Sequence, residues 1–245
     1  MQRKIIAACN FLPTDTVLEI GSGRGEMTGL IAERVNSVYA LEIDRELLPE
    51  LRETLKNFSN IKIFNQDILK FDLQNCLKSV KSDIKAFGNI PYYITTPIIE
   101  YLLENRGRVD VIFLTVQKEF AKRLVSPEGS ADYSSWSCFV QYFTSPKIVF
   151  KIKKTCFSPI PKVDSCLMRL DVRPIPAVKV RDEGWFFKVI RSAFNQRRKT
   201  LRNSLKRLAS QDKLRDFFSE YSINPKIRPE DLSLQNFAYL ADFIR

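Results

Sequence analysis

Between Thr16 and about Tyr101, short β-rich runs alternate with stretches of helical apolar spacing, and this alternation constrains the fold more than any other feature. The runs are Val17-Leu18-Glu19-Ile20, Ser37 to Ile43, Ile61 to Phe64 and Ile84 to Gly88, with another from Val109 to Val116. Between them apolar residues recur at helical spacing, as at Leu47, Leu48, Leu51 and Leu55. Strands joined through helices pair in parallel, because a crossover of that length returns the chain to the same end of the sheet. Five such units predict a doubly wound α/β sheet. Two later runs, Ile148 to Ile152 and Cys166 to Leu170, are separated by the turn Ser158-Pro159-Ile160-Pro161-Lys162. No helix fits between them, so they are predicted to pair antiparallel at the sheet edge. Arg173-Pro174-Ile175-Pro176 then reads as a rigid linker. Beyond it, Leu201, Leu205 and Leu208, then Leu214, Phe217 and Phe218, then Leu232, Phe237, Leu240 and Phe243 mark helices. The expected organisation is an α/β domain over 1–172 and a small helical domain over 173–245.

Charge follows the same division. Up to Val172 there are 23 Lys and Arg against 20 Asp and Glu; from Arg173 onward there are 16 against 8, net +8 in 73 residues. Such a concentration favours a polyanionic partner, nucleic acid before membrane, because no Trp- and Leu-faced amphipathic segment accompanies it; a solvated basic face is the bland alternative. No stretch approaches the roughly 18 uninterrupted apolar residues of a membrane-spanning helix. The opening Met1 to Cys9 imitates a basic leader, but its apolar stretch is too short and an amphipathic helix is expected. Five cysteines without a C-x-x-C spacing read as reduced, mostly core thiols, with neither a metal site nor a redox pair. Histidine is absent, which removes the usual general base near neutral pH and every Ser-His or Cys-His nucleophile pair.

The first strand runs into Gly21-Ser22-Gly23-Arg24-Gly25-Glu26, a glycine-rich turn that lets backbone approach a cofactor at the carboxyl end of the sheet. Glu26 puts a carboxylate where a dinucleotide's pyrophosphate would sit, and no Gly-Lys-Ser/Thr of a P-loop is present, so the cofactor should lack phosphates. Glu42 ends the second strand, where an acid can accept from both ribose hydroxyls. The pair fits S-adenosyl-L-methionine; a tight turn and a surface acid is the alternative. Asp67, after the third strand, is placed either to accept from the cofactor's adenine amino group or to cap a helix.

The fourth strand runs into Phe87-Gly88-Asn89-Ile90-Pro91-Tyr92-Tyr93. An exocyclic adenine amine is a poor nucleophile because its lone pair is delocalised into the ring, so a site that methylates it needs two acceptors on the amino hydrogens and an aromatic face against the base. The Asn89 side-chain oxygen and the Ile90 carbonyl supply the acceptors, Pro91 fixes the turn without a competing N–H, and Tyr92 supplies the ring. No strong base is required, which agrees with the missing histidine. A plain Asn-Pro-Tyr turn at a strand end is the alternative.

Glu19-Ile20-Gly21-Ser22-Gly23, Glu42-Ile43-Asp44, Asn65-Gln66-Asp67-Ile68 and Phe87-Gly88-Asn89-Ile90-Pro91-Tyr92, in this order and spacing, resemble the ribosomal RNA adenine-N6 methyltransferases. So do Val116 to Leu124 and Phe157-Ser158-Pro159-Ile160-Pro161-Lys162-Val163-Asp164-Ser165, and the likeness covers nearly the whole chain. It implies a Rossmann-like class I methyltransferase sheet. It also implies S-adenosyl-L-methionine held by Gly21, Gly23, Glu42, Ile43, Asp67, Ile68 and Asn89, and a catalytic set of Asn89, Ile90, Pro91, Tyr92 and Phe157. Phe157 would be a second ring clamping a flipped adenine opposite Tyr92. Two branches share these motifs, the dimethyltransferases of small-subunit rRNA and the Erm-type enzymes of large-subunit rRNA. Ala193 to Leu205 and Val116-Gln117-Lys118-Glu119 are similar to the small-subunit branch. The family carries an N-terminal arm with a Gly-Gln-Asn-Phe-Leu-like motif across the cofactor, whereas this sequence opens at Met1-Gln2-Arg3-Lys4 without it, and cofactor closure is expected to be affected. Tyr93 stands where many bacterial members have Asn.

On a helix, Arg198, Lys199, Arg202 and Lys206 would share an arc of about 100° beside the Leu201, Leu205 and Leu208 face. Arg197, Arg198, Lys199, Arg202 and Lys206 are therefore the candidate RNA contacts, positioning RNA through its phosphates while specificity comes from loop shape and unstacked bases. The expected reaction is dimethylation of two adjacent adenosines in the 3′-terminal hairpin loop of small-subunit rRNA. The partner expected is the pre-30S particle, in the cytoplasm, with no membrane, no metal and a monomeric enzyme. An Erm-type large-subunit enzyme, a catalytically idle assembly factor and a DNA adenine methyltransferase are the competing readings.

Overall fold

The computed structural model describes residues 1–78, 80, 83–196 and 199–245, and the chain divides into two compact units: Met1–Ala121 with Pro146–Val172, and Lys122–Ser145 with Arg173–Arg245. The second cut coincides with the expected boundary after Val172. The first unit lacks Lys122–Ser145, which the sequence reading had assigned to the α/β domain.

The first unit opens with α1 (Gln2–Cys9), whose Ile5, Ile6 and Cys9 are buried, as the amphipathic reading requires. Then follow β1 (Thr16–Ile20), α2 (Glu26–Ala32), β2 (Ser37–Glu42), α3 (Leu48–Leu55), β3 (Ile61–Asn65), α4 (Leu73–Cys76), β4 (Ile84–Gly88), α5 (Thr95–Glu104) and β5 (Val109–Gln117). Next along the chain come α6 (Lys118–Val125), α7 (Ser135–Phe143), which belongs to the second unit, β6 (Thr144–Ile152) and β7 (Ser165–Val172). The strands form one sheet in the order β3-β2-β1-β4-β5-β7-β6. The first five pair in parallel, and β7 pairs antiparallel to β5 with Gln117 opposite Ser165. All seven predicted strands are present, and the two late ones do lie at the edge.

Burial explains why the strands read as they do. Every residue of central β1 is buried, since neighbouring strands flank it and helices cover both faces, so its sequence shows no alternation. In edge strand β3 no residue is fully buried, and Lys62 and Asn65 are exposed. One apolar cluster joins Ile5, Ile6 and Cys9 of α1 to Val17, Met27, Ile31, Phe87 and Phe113, with Phe157 packed against it. Strand order reverses between β1 and β4, and a crevice opens outside the carboxyl ends of those two strands in folds of this kind.

The second unit contains α7, α8 (Glu183–Phe194), α9 (Leu201–Ser204), α10 (Gln211–Glu220) and α11 (Leu234–Ile244). Its core is aromatic: Phe187 meets Phe139, Tyr142 and Phe143, while Phe217 meets Tyr221 and Phe243. A reciprocal capping box between Ser134 and Ser137 starts α7. The Arg173–Pro176 segment is tied down within this unit, with Arg173 N donating to Phe143 O at 2.8 Å and Ala177 N to Tyr142 O at 2.9 Å.

The long basic helix expected around 198–206 does not form. Thr200 caps α9, accepting from Asn203 N, so Lys199 precedes the helix. After Ser204 the chain tightens into a turn, with Leu208 N bonding to Leu205 O at 2.8 Å, which leaves Lys206 outside as well. Lys199 and Lys206 are exposed and Arg202 is half-buried, its Nε donating to Gln211 Oε1 at 2.7 Å. Arg197 and Arg198 lie outside the described residues.

Cys9, Cys138 and Cys166 are buried and Cys156 is exposed; all five thiols are free. Burial pushes Cys9 and Cys138 up to about 12, which keeps them protonated. No helix among the described residues is long and apolar enough to cross a membrane, and no group of three or more metal-ligating side chains is found among them.

Candidate active site

The turn between β1 and α2 is built from backbone. Gly21 N and Ser22 N both donate to Leu41 O, at 2.9 and 3.0 Å, which ties the turn to the end of β2. Gly21, Gly23 and Gly25 have φ of 74°, 57° and 88°, values that side chains with a Cβ rarely adopt. Glu42 closes the turn from the other side. It is 6% exposed, its Oε2 accepts from Gly23 N at 2.7 Å and its Oε1 from Asp44 N at 2.9 Å. A carboxylate offers about four lone-pair sites, so each oxygen keeps room for a further donor. Asn65 supports this end of β2, donating from Nδ2 to Glu42 O at 2.8 Å and to Ile43 O at 3.2 Å.

Two cavities flank the turn. The larger, about 680 Å³, is walled by residues including Gln2, Ile5, Glu19, Gly21, Gly23, Asn89 and Phe157. The smaller, about 130 Å³, is walled by Ile43, Gln66, Asp67, Ile68, Ile90, Pro91 and Tyr93 among others, an apolar slot with one carboxylate. Asp67 performs the capping role that the sequence left open, since its Oδ1 accepts from Leu69 N at 3.0 Å, and its other oxygen is available to the slot it borders. Tyr93 is 86% exposed at the slot's rim.

Glu19 carries a signal that the sequence reading passed over. It is the one charged residue in a wholly buried strand, and its Oε2 has no hydrogen-bond partner among the described residues. Burial is the main cause that pushes its carboxyl up to about 7; the nearby Thr28 and Ser22 side chains partly offset this and the Glu42 charge adds to it. A buried carboxylate with an orphan oxygen on a cavity wall suits a cationic ligand group.

The remaining site residues separate. Asn89 is exposed at the mouth of the larger cavity, and Ile90, 6% exposed, borders the slot. Phe157 lines the larger cavity and packs on the core. Tyr92 does not share it: its hydroxyl pairs with Ser165 Oγ at 2.6 Å and its ring borders a different hollow beside α5 and β5. The structure thus gathers Gly21, Gly23 and Asn89 around one cavity and Ile43, Asp67 and Ile68 around its neighbour, while Tyr92 and Phe157 open onto different spaces.

This sheet order, the glycine turn and the acid at the end of β2 define a Rossmann-like methyltransferase. The family model described as ribosomal RNA adenine dimethylase matches residues 1–245, and the chain belongs to that family. Relatives named ribosomal RNA small subunit methyltransferase A are 40% identical in Clostridium botulinum, covering 98% of this chain and 87% of theirs, and 42% identical in Lachnoclostridium phytofermentans, covering 98% and 86%. Among solved structures, a dimethyladenosine transferase from Plasmodium falciparum superposes with a TM-score of 0.81 at 25% identity, covering 98% of this chain and 93% of that one. The 23S rRNA methyltransferase ErmE does so with a TM-score of 0.74, also at 25% identity, covering 99% and 96%.

Proposed function

We propose that this chain transfers methyl groups from S-adenosyl-L-methionine to N6 of two adjacent adenosines in the 3′-terminal hairpin loop of small-subunit rRNA, giving N6,N6-dimethyladenosine. It acts on a pre-30S particle, in the cytoplasm, as a monomer. The observation that carries the reading is that Asn89, at the head of the Asn-Ile-Pro-Tyr turn, walls the same cavity as Gly21, Gly23 and the orphan carboxylate of Glu19. The 40–42% identity to relatives named for the small subunit favours that substrate over large-subunit rRNA.

The residues present fit the cofactor. Glu42 has acceptor capacity left for two ribose hydroxyls, Ile43, Ile68, Ile90 and Pro91 form walls for an adenine ring, and Asp67 offers an acceptor for its amine. Glu19 is placed for the ammonium of the methionine part. When bound, S-adenosyl-L-methionine supplies an electrophilic methyl on a sulfonium centre. Asn89 and the Ile90 carbonyl accept the two N6 hydrogens of the target base, which localises the nitrogen lone pair towards that centre. Pro91 contributes no N–H to compete, and Phe157, on the wall of the cavity that Asn89 borders, takes one face of the base, whereas Tyr92 borders a different hollow and does not close on the other face. Rate enhancement comes from alignment, and the released proton passes to solvent without a histidine. The first unit holds the cofactor, and Arg197, Arg198, Lys199, Arg202 and Lys206 of the second meet phosphates.

The test is methyl transfer to undermethylated small subunits and, in parallel, to protein-free large-subunit rRNA. Transfer to the subunits alone is the expected result. Transfer to the large-subunit RNA alone would make the chain an Erm-type enzyme, and subunit binding without transfer would make it an idle assembly factor.

A further inference from the structure

A separate hollow of about 70 Å³ lies beside the site, walled by Tyr92, Thr95, Thr96, Gln117 and Phe120, and it shares no wall residue with the two larger cavities. Those two are walled by Asn89 and by the residues proposed for the cofactor, and none of those residues borders this hollow. Its chemistry is that of a nucleobase edge. Tyr92 and Phe120 are both half-buried aromatic rings, which present faces for stacking. Gln117, half-buried at the end of β5, forms no side-chain hydrogen bond among the described residues, so its amide has both a donor and an acceptor to offer. Thr95 Oγ1 is buried without a partner among the described residues. The wall is also held in place: the Tyr92 hydroxyl is bonded to Ser165 at 2.6 Å, and Ser165 is the register partner of Gln117 across β5 and β7.

We infer that this hollow takes the edge of the adenine adjacent to the one being methylated. The inference rests on the proposed function, under which two neighbouring adenosines are substrates and only one at a time can occupy the target position. A volume near 70 Å³ admits the amino edge of a purine and leaves the rest of the ring against Phe120. Gln117 matches that edge because a carboxamide bonds an adenine in bidentate fashion, accepting from N6 and donating to N7. On that same edge guanine presents two acceptors, O6 and N7, and a pyrimidine has no N7. Gln117 and Phe120 are positioning residues: they set the register of the loop, so that one adenosine enters the target position while its neighbour is held.

The experiment uses the full chain and small subunits reconstituted with rRNA in which the adenosine next to the target is adenosine or uridine. Methylation of the target adenosine is followed on each. For the wild-type chain kcat/KM is expected to fall about tenfold with uridine, mainly through KM, the scale of one bidentate contact. Gln117→Ala should react equally with both substrates, and Phe120→Leu should raise KM severalfold on the adenosine substrate at unchanged kcat. S-adenosylhomocysteine binding, measured calorimetrically, should be the same in wild type and both variants, which shows that they fold. Wild-type preference retained by Gln117→Ala, or no preference in the wild type, would overturn the inference while leaving the proposed function standing. No methylation of either substrate by the wild type would remove the proposed function and the inference with it.

Discussion

Glu42 Oε2 accepts the Gly23 amide at 2.7 Å, so the acid that ends β2 also fixes the glycine turn that follows β1. The carboxylate is thus part of the cradle, and under the proposed function it is also the acceptor for the cofactor's ribose. Glu42→Gln keeps the shape but replaces one acceptor by a donor facing an N–H. Affinity for S-adenosylhomocysteine, read by calorimetry, should fall at least about tenfold, since a lost charge-assisted hydrogen bond is of the order of 1.5–3 kcal/mol. Unchanged affinity would remove Glu42 from the cofactor site.

Glu19 makes both stability and binding depend on pH. Its carboxyl is raised from 4.5 in the unfolded chain to about 7 in the fold, chiefly by burial. Its contribution to stability is complete below about pH 4.5 and is lost as pH rises through about 7, because only the folded chain then carries a buried charge. Relative to wild type, Glu19→Gln should gain stability as pH rises from 5 to 8, by on the order of 3 kcal/mol, in urea unfolding. Cofactor binding has the opposite slope. An ammonium favours the ionised acid, so wild-type affinity should rise between pH 6 and 8 and the variant should lose that rise. A pH-independent difference between the two proteins contradicts this assignment.

Gly25 tests how tightly the cradle is built. At φ +88° a side chain is strained, and an added Cβ would lie 2.9 Å from Leu51 Cδ1 and 3.1 Å from Leu55 Cγ of α3. Gly25→Ala should destabilise the chain by roughly 1–3 kcal/mol. Gly23→Ala, at φ +57° with open space around the added carbon, should cost less. Equal midpoints for the two variants in thermal unfolding would contradict the packing described.

Lys199 and Lys206 are exposed on either side of α9. If each meets a phosphate, Lys199→Ala and Lys206→Ala should each weaken subunit binding without regard to the methylated sequence. The slope of log affinity against log salt should become shallower by somewhat less than about one unit per lost contact. An unchanged slope would place the RNA elsewhere.

The parallel sheet was legible because its strands are short apolar runs separated by helical spacing, and the edge pair because the turn at Ser158–Lys162 has no room for a helix. The cradle was legible for a different reason: Gly21, Gly23 and Glu42 mark backbone positions that few other residues can fill. What escaped depends on burial and on long-range contacts. Glu19 looked like part of a motif, and only its position inside a wholly buried strand shows it as an orphan charge. Ser135–Phe143 lacks a clean apolar stripe, so neither α7 nor its membership of the second unit was anticipated. The basic helix failed because leucine spacing says nothing about where a threonine caps: with Thr200 as its cap, α9 starts two residues after Lys199, and the turn after Ser204 ends it too early for Lys206. The parting of Tyr92 from Phe157 follows from the Ser165 hydroxyl that holds Tyr92, a contact 73 positions away in sequence.

The central claim is that Asn89, beside the glycine cradle, makes this chain an adenosine dimethyltransferase of the small subunit. The most direct measurement is mass spectrometry of digested rRNA after incubating the protein and S-adenosyl-L-methionine with small subunits from a strain lacking the modification. The wild-type chain should give N6,N6-dimethyladenosine at two adjacent positions of the 3′-terminal hairpin, and Asn89→Ala should give none while binding the subunits nearly as well. Absence of the dimethylated nucleoside with the wild-type chain, or its undiminished formation by Asn89→Ala, would contradict the account.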